Sequence, residues 1–230
     1  MSIDKVAALR RTALFGSLSE SEIRVVADRA VEHKLGRGEI LFLAGDAARG
    51  LYVIVEGAVR AYRVGSDGRE QVIHVERAGA TVGEVPFFDE GGYPSTVAGE
   101  EQSNLLFIGR TEVYTLLSDH PTIAIAALKV LAARLRNCAS LVETLSLHDV
   151  DRRLARLLLT EARARGQRFA DVLEFDFLLT HQQVASRIGS VREVVSRAFS
   201  RLQQAGLVRV DGKRVTIPSE RSLSGYLEAD

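Results

Sequence analysis

Tryptophan is absent from this 230-residue chain, and cysteine and methionine occur once each. With Cys138 alone, neither an intrachain disulfide nor a four-cysteine iron–sulfur site is available. No apolar run approaches the ~20 residues that a membrane-spanning helix needs. The N-terminal stretch MSIDKVAALRR lacks the apolar centre of a signal peptide. A cytoplasmic protein without a membrane partner is therefore expected. His33, His74, His120, His148 and His181 are scattered along the chain. No metal-ligand spacing, phosphate loop or nucleophile constellation stands out, so neither an enzyme nor a metal site is expected. Net charge is zero, which withholds any global signal for nucleic acid, while 46% apolar and 26% charged residues suit a globular protein. The charge is uneven, however. Residues 1–148 carry 16 Lys/Arg against 19 Asp/Glu, and residues 149–230 carry 14 against 11.

The most informative stretch lies in that basic part, from Thr180 to Ile217. Thr180 precedes Gln183 by three residues and Ser190 precedes Glu193 by three, two capping boxes that predict two helix starts. Gly189 leaves room only for a sharp corner between the helices. In the second helix Val191, Val194, Val195, Ala198 and Leu202 form an apolar stripe. Arg192, Glu193, Ser196, Arg197 and Arg201 then share the opposite face. Gly206 closes the helix in the left-handed position, and Leu207–Val210 with Arg214–Ile217 predict a hairpin around Asp211-Gly212. Helix, corner, polar-faced helix and hairpin make a winged helix-turn-helix. Seven Lys/Arg against two acidic residues in this stretch suit a phosphate-lined partner. Arginine can bridge O6 and N7 of guanine, and glutamate can accept from N4 of cytosine. The candidate DNA contacts are Arg192, Glu193, Ser196, Arg197 and Arg201, with Gln182 and Ser190 at the helix starts and Lys213 on the wing. The alternative is a solvated helix face on which Glu193 serves only its cap.

Upstream, residues 4–14 and 20–31 are expected to be helical. From Glu39 to Ile108 the apolar period changes to two. Short runs at 40–43, 51–55, 58–64, 71–75, 96–99 and 105–108, punctuated by glycines, predict an antiparallel roll or barrel. A long helix follows Pro121. Its apolar positions Ala124, Leu128, Leu131, Leu135, Cys138, Val142 and Leu145 advance by alternating steps of four and three. That is the seam of a two-stranded coiled coil, whereas packing against the chain's own roll would favour a broader stripe. The expected fold is α+β: a sensing roll over 1–120, a dimerisation helix over 121–148 and the winged helix-turn-helix over 149–230. A helix over 154–164 and a short strand over 173–178 lead into the last module.

In that order these parts resemble the CRP/FNR family of bacterial transcription regulators. Gly38-Glu39-Ile40-Leu41-Phe42, Gly45-Asp46 and Leu51–Gly57 match its N-terminal pattern. Gly83-Glu84 through Pro86-Phe87-Phe88-Asp89 match its phosphate cassette, and Arg192–Arg197 match its reading residues. The resemblance covers roughly Leu14 to Ile217. It implies a homodimer on near-palindromic double-stranded DNA, with two recognition helices one turn apart, and RNA polymerase as a further partner. It implies base contacts by Glu193 and Arg197 flanked by Arg192 and Ser196. The Glu-x-x-Ser-Arg form fits TTGAY-type half-sites, and Arg192 fits the TGTGA type as well.

The resemblance also implies an effector pocket between roll and long helix, near Gly83, Glu84, Ser95, Thr96, Arg134 and Cys138. Here the chain departs from the family pattern. Cyclic-AMP-binding members place an Arg-Ser pair on the cyclic phosphate, and this chain has Pro94-Ser95. The Thr-Ser pair that touches adenine aligns with Cys138-Ala139. Glu84, the family's ribose ligand, is present and is read as kept for turn geometry. Cyclic AMP is therefore not the expected effector, the cofactor is open, and a haem held by one histidine is compatible with the sequence. The second functional class consistent with the roll is a cyclic-nucleotide-binding regulatory module acting on a protein partner.

Overall fold

Strand formation begins earlier than the period-two pattern suggests, at β1 (Val31–Leu35), in the computed structural model, which describes residues 3–89 and 91–228. Before it stand α1 (Lys5–Arg10) and α2 (Glu20–Arg29). The latter is opened by the Ser19–Glu22 capping box, with Ser19 N donating to Glu22 Oε2 at 2.7 Å. β1 reads Val-Glu-His-Lys-Leu, and only Leu35 is buried, so its sequence carries no apolar alternation. It is followed by β2 (Ile40–Phe42), β3 (Gly50–Glu56), β4 (Ala58–Val64), β5 (Glu70–Arg77), β6 (Thr81–Val82), the short α3 (Pro86–Asp89), β7 (Thr96–Gly99) and β8 (Ser103–Gly109). Two four-stranded sheets result, ordered β1-β8-β3-β6 and β2-β7-β4-β5.

Alternation along β3 and β8 explains how this roll is filled. Their register pairs Leu51 with Ile108, Tyr52 with Phe107, Val53 with Leu106 and Ile54 with Leu105. Ile54 and Leu105 join Phe42, Val59, Ala61 and Val97 in one buried cluster. Leu51, Val53, Leu106 and Ile108 join a second, with Leu9, Phe15 and Ile23 from the N-terminal segment and Ile123 and Ala127. The latter two lie on α5 (Pro121–Leu147), which follows α4 (Arg110–Asp119). Helix α4 is an element the sequence reading left unassigned. Proline at the first position of α5 suits a helix start, where its missing N–H has no partner to lose.

The predicted helix over 154–164 is longer and separate from α5. It is α6 (Val150–Arg165), with Asp149 accepting from Arg152 N at 2.8 Å as its cap. Then come β9 (Gln167–Phe169), β10 (Val172–Asp176), α7 (His181–Ile188), α8 (Arg192–Gln204), β11 (Arg209–Asp211), β12 (Arg214–Ile217) and α9 (Glu220–Glu228). The sheet order is β11-β12-β10-β9. Leu154, Leu158, Phe175, Val184, Val195, Leu202, Val215 and Leu223 form its core. The hairpin turn is one residue later than expected: Asp211 pairs with Arg214, so Gly212-Lys213 is the loop.

The chain divides into two compact units. One comprises the residues up to Gly65 with Val72–Cys138, and the other Ser66–Gln71 with the residues from Ala139 onward. The boundary falls inside α5 instead of at its end. Among the described residues no single helix is long and apolar enough to cross a membrane.

Candidate nucleic-acid interface and effector pocket

Helix α7 starts as its sequence dictates. Thr180 Oγ1 accepts from Gln183 N at 3.2 Å, and Gln183 Oε1 accepts from Thr180 N at 3.0 Å. It ends on Gly189 in the left-handed conformation, φ 61°. Ser190 N donates to Ala185 O at 3.0 Å as part of that closure. This overturns the second expected capping box. Ser190 belongs to the end of α7, the cap of α8 is Val191, and no side chain caps it. Glu193 is thereby left without a capping role.

On α8, Val195, Ala198, Phe199 and Leu202 face the core, while Arg192, Glu193, Ser196 and Arg197 are exposed. Val191 and Val194 are only half-buried, and Phe199, which lay outside the expected stripe, is buried. Arg192, Arg197, Arg209 and Lys213 are exposed, and among the described residues no carboxylate pairs with them. Gln182 is exposed on the first turn of α7, and Ser190 is half-buried. Arg201 stands apart from its expected companions. Its guanidinium is gripped by Asp151 of α6 through Nε to Oδ2 at 2.5 Å and Nη2 to Oδ1 at 2.6 Å. Fifty residues separate these two in sequence, and no local spacing rule connects them.

The expected effector residues are only partly assembled. Gly83 has φ +90°, and a Cβ there would lie 3.2 Å from both Gly50 O and Tyr93 Cε1, so the turn demands glycine. Next to it Glu84 is 1% exposed. Arg134 of α5 brings Nη1 within 2.5 Å of Glu84 Oε1, while its Nη2 donates to Thr81 O at 2.5 Å and lies 3.4 Å from Glu76 Oε1. His74 Nδ1 lies 3.3 Å from that same Glu76 oxygen. Burial pushes the Glu84 carboxyl up from its ordinary value, opposed by the Arg134 charge. Burial also works against ionisation of Glu76, but His74 and Arg134 outweigh it and bring that carboxyl down. Glu84 thus does more than shape a turn: it holds the arginine of the long helix. Glu76 and His74 joined the cluster without any motif to announce them. Only their two-residue spacing on β5 places them on one side.

Ser95 and Thr96 are buried, but Thr96 Oγ1 is engaged by Ala44 N at 3.1 Å. Pro94 offers only its carbonyl, to Arg63 Nη1 at 3.0 Å. Cys138 is half-buried, one helical turn beyond Arg134. Of the seam residues, Leu128, Leu135 and Val142 are 58%, 72% and 63% exposed, and Leu131, Cys138 and Leu145 are half-buried. Leucine and valine seven residues apart therefore leave an apolar ridge along α5.

Two family models match the chain, a cyclic nucleotide-binding domain over residues 32–120 and a Crp-like helix-turn-helix domain over residues 152–226. The chain is 28% identical over 216 residues to a CRP-like cAMP-activated global transcriptional regulator of Mycobacterium tuberculosis, covering 94% of this chain and 96% of that one. It is 27% identical to the fumarate and nitrate reduction regulatory protein of Escherichia coli, covering 90% and 83%. Among solved structures it is similar to the c-di-GMP responsive global regulator CLP of Xanthomonas campestris, with a TM-score of 0.77 at 23% identity over 87% of this chain and all of that one. A CooA mutant from Carboxydothermus hydrogenoformans gives the same TM-score at 17% identity, covering 97% and 99%. At such identities the two structures speak for the fold.

Proposed function

Because the chain belongs to the CRP/FNR family of DNA-binding transcription regulators, we propose that it works as a homodimer on near-palindromic DNA under the control of a roll-bound effector other than cyclic AMP. The observation that carries the DNA half is the exposed quartet Arg192, Glu193, Ser196 and Arg197 on α8. An α-helix fits the major groove, and this face presents two guanidinium groups with no carboxylate partner among the described residues, beside the exposed Glu193 carboxylate. Arg197 and Glu193 read base edges, Arg192 and Ser196 flank them, and Gln182, Ser190 and Lys213 meet the backbone. The apolar ridge Leu128–Leu135–Val142 supports pairing of α5 with its counterpart, which sets two recognition helices on two half-sites.

The effector half rests on the cluster Glu84–Arg134–Glu76. Its one guanidinium is already shared between two carboxylates and a carbonyl, which counts against its serving a phosphate. The named effectors of relatives differ, cyclic AMP for the Mycobacterium tuberculosis regulator and c-di-GMP for CLP. Family membership therefore leaves the ligand open. RNA polymerase is the expected protein partner of such a regulator.

Gel-shift titration with genomic fragments, followed by footprinting, tests the proposal. Protection of two half-sites about one DNA turn apart, with affinity falling steeply with salt, is the expected result. Equal affinity for every fragment would overturn sequence-specific control and favour the regulatory-module alternative.

A further inference from the structure

Two opposite charges line one aromatic hollow in the roll without meeting each other. The hollow, about 360 Å³, is bounded by Leu41, Phe42, Asp46, Arg49, Tyr52 and Tyr93. That volume falls within the range of small-molecule sites. None of Glu84, Arg134, Glu76 or Ser95 borders it, so it is distinct from the cluster described above. Its floor is aromatic. Phe42 and Tyr93 stack with ring centroids 3.7 Å apart and planes 18° apart, and Tyr52 is tilted at 6.1 Å from Phe42.

Hydrogen bonds tie the backbone of the rim to Tyr93. Gly45 N donates to Tyr93 O at 2.8 Å, and Tyr93 N donates to Asp46 O at 2.9 Å. The Tyr93 hydroxyl donates to Gly50 O at 2.8 Å and accepts from Arg49 N at 3.3 Å. Burial, first of all, pushes both phenols up, so both stay neutral hydrogen-bonding groups. Asp46 Oδ2 accepts from Leu43 N at 3.2 Å, which fixes the carboxylate at the rim. Among the described residues nothing pairs with the Arg49 guanidinium, and no ion pair joins it to Asp46. Both charges nonetheless act on the Tyr93 phenol, in opposite directions.

An exposed arginine and aspartate on one rim ordinarily attract each other. Here, among the described residues, no ion pair joins them across the aromatic hollow, which leaves one site for an anionic group and one for a cationic group. We propose that this hollow binds a small zwitterion with a flat apolar part, the amino-acid class of ligand. The carboxylate would take the forked donors of Arg49, the ammonium would face Asp46, and the apolar part would lie on Tyr93 and Phe42. Such an occupant would also press on the cassette, because the far edge of Tyr93 leaves no room at Gly83 for a side chain.

Calorimetric titration of the full-length protein with L-phenylalanine tests this, alongside phenylacetate, which lacks the ammonium, and 2-phenylethylamine, which lacks the carboxylate. Sub-millimolar binding of L-phenylalanine is expected. Each single-charge analogue should bind about tenfold or more weakly, the scale of one lost charge-assisted bond. Arg49→Gln should lower the affinity for L-phenylalanine and phenylacetate by a similar factor and leave phenylethylamine unchanged, and Arg49→Lys should restore part of it. Absence of binding at millimolar concentration, or equal affinity in Arg49→Gln, overturns the proposal. So does a loss on Arg134→Gln that Arg49→Gln does not share.

Discussion

Arg201 sits on the recognition helix but points its charge at the protein, where Asp151 of α6 holds it with two bonds of 2.5 and 2.6 Å. The fork geometry is that of a bidentate arginine–carboxylate pair. Arg201 is half exposed, and solvent screening leaves such a pair little weight in stability. The pair therefore matters less for stability than for what it removes from the proposed DNA-facing set.

A salt titration separates the two possible uses of Arg201. A phosphate contact contributes close to one unit of the slope of log K against log salt. Arg201→Ala is expected to leave that slope unchanged, and Asp151→Asn to change affinity only slightly. A slope reduced by about one in Arg201→Ala, with tighter binding in Asp151→Asn, would mean that the pair opens on DNA.

Arg197 should behave in the opposite way. It is exposed, and among the described residues no acid pairs with it. Arg197→Ala is expected to lose about 1–3 kcal/mol on the specific site and to flatten discrimination at one guanine. Lys213→Ala, at the tip of the wing, should weaken all sequences alike and lower the salt slope. Unchanged affinity and specificity for Arg197→Ala would move base reading to other residues of α8.

The seam on α5 makes its own prediction. In a parallel pair of helices equal seam positions face each other. Leu135 is 72% exposed in a single chain, so Leu135→Glu should barely disturb the fold of that chain. In a dimer it would set two carboxylates against each other in an apolar seam. Light scattering should report a monomer, with circular dichroism unchanged. An intact dimer would exclude pairing through this ridge.

What could be read from the sequence was what depends on near neighbours. The Thr180–Gln183 box, the left-handed Gly206 and the step-four, step-three ridge of α5 all follow from residues within one or two turns. Ser190 misled because two helix ends compete for it, and the closure of α7 took it before α8 could use it. β1 escaped notice because it presents Glu32, His33 and Lys34 in place of an apolar alternation. The charge pairs at the two candidate sites, Glu84 with Arg134 in the roll and Asp151 with Arg201 behind the exposed face of α8, each join residues fifty apart. Only the fold could bring them together, and no spacing pattern encodes them.

The pairing of Glu84 with Arg134 bears on cyclic AMP as well. A cyclic phosphate in the roll needs a cation or several N–H donors. Pro94, at the position where the resemblance implies arginine in cyclic-AMP-binding members, has neither a charge nor an N–H. Arg134 was the residue best placed to compensate, yet its guanidinium is already spent on Glu84, Glu76 and the Thr81 carbonyl. Arg63 touches the cassette only through the exposed carbonyl of Pro94. A hydrogen bond to a charged group contributes about 1.5–3 kcal/mol, so at ~1.4 kcal/mol per decade the missing arginine alone costs at least tenfold. Calorimetry with cyclic AMP and cyclic GMP should show no binding in the low-micromolar range, and Pro94→Arg should gain at least the same factor. Low-micromolar binding by the unaltered protein would require Arg134 to release Glu84. In that case Arg134→Gln would abolish it, and the effector assignment would revert to a cyclic nucleotide.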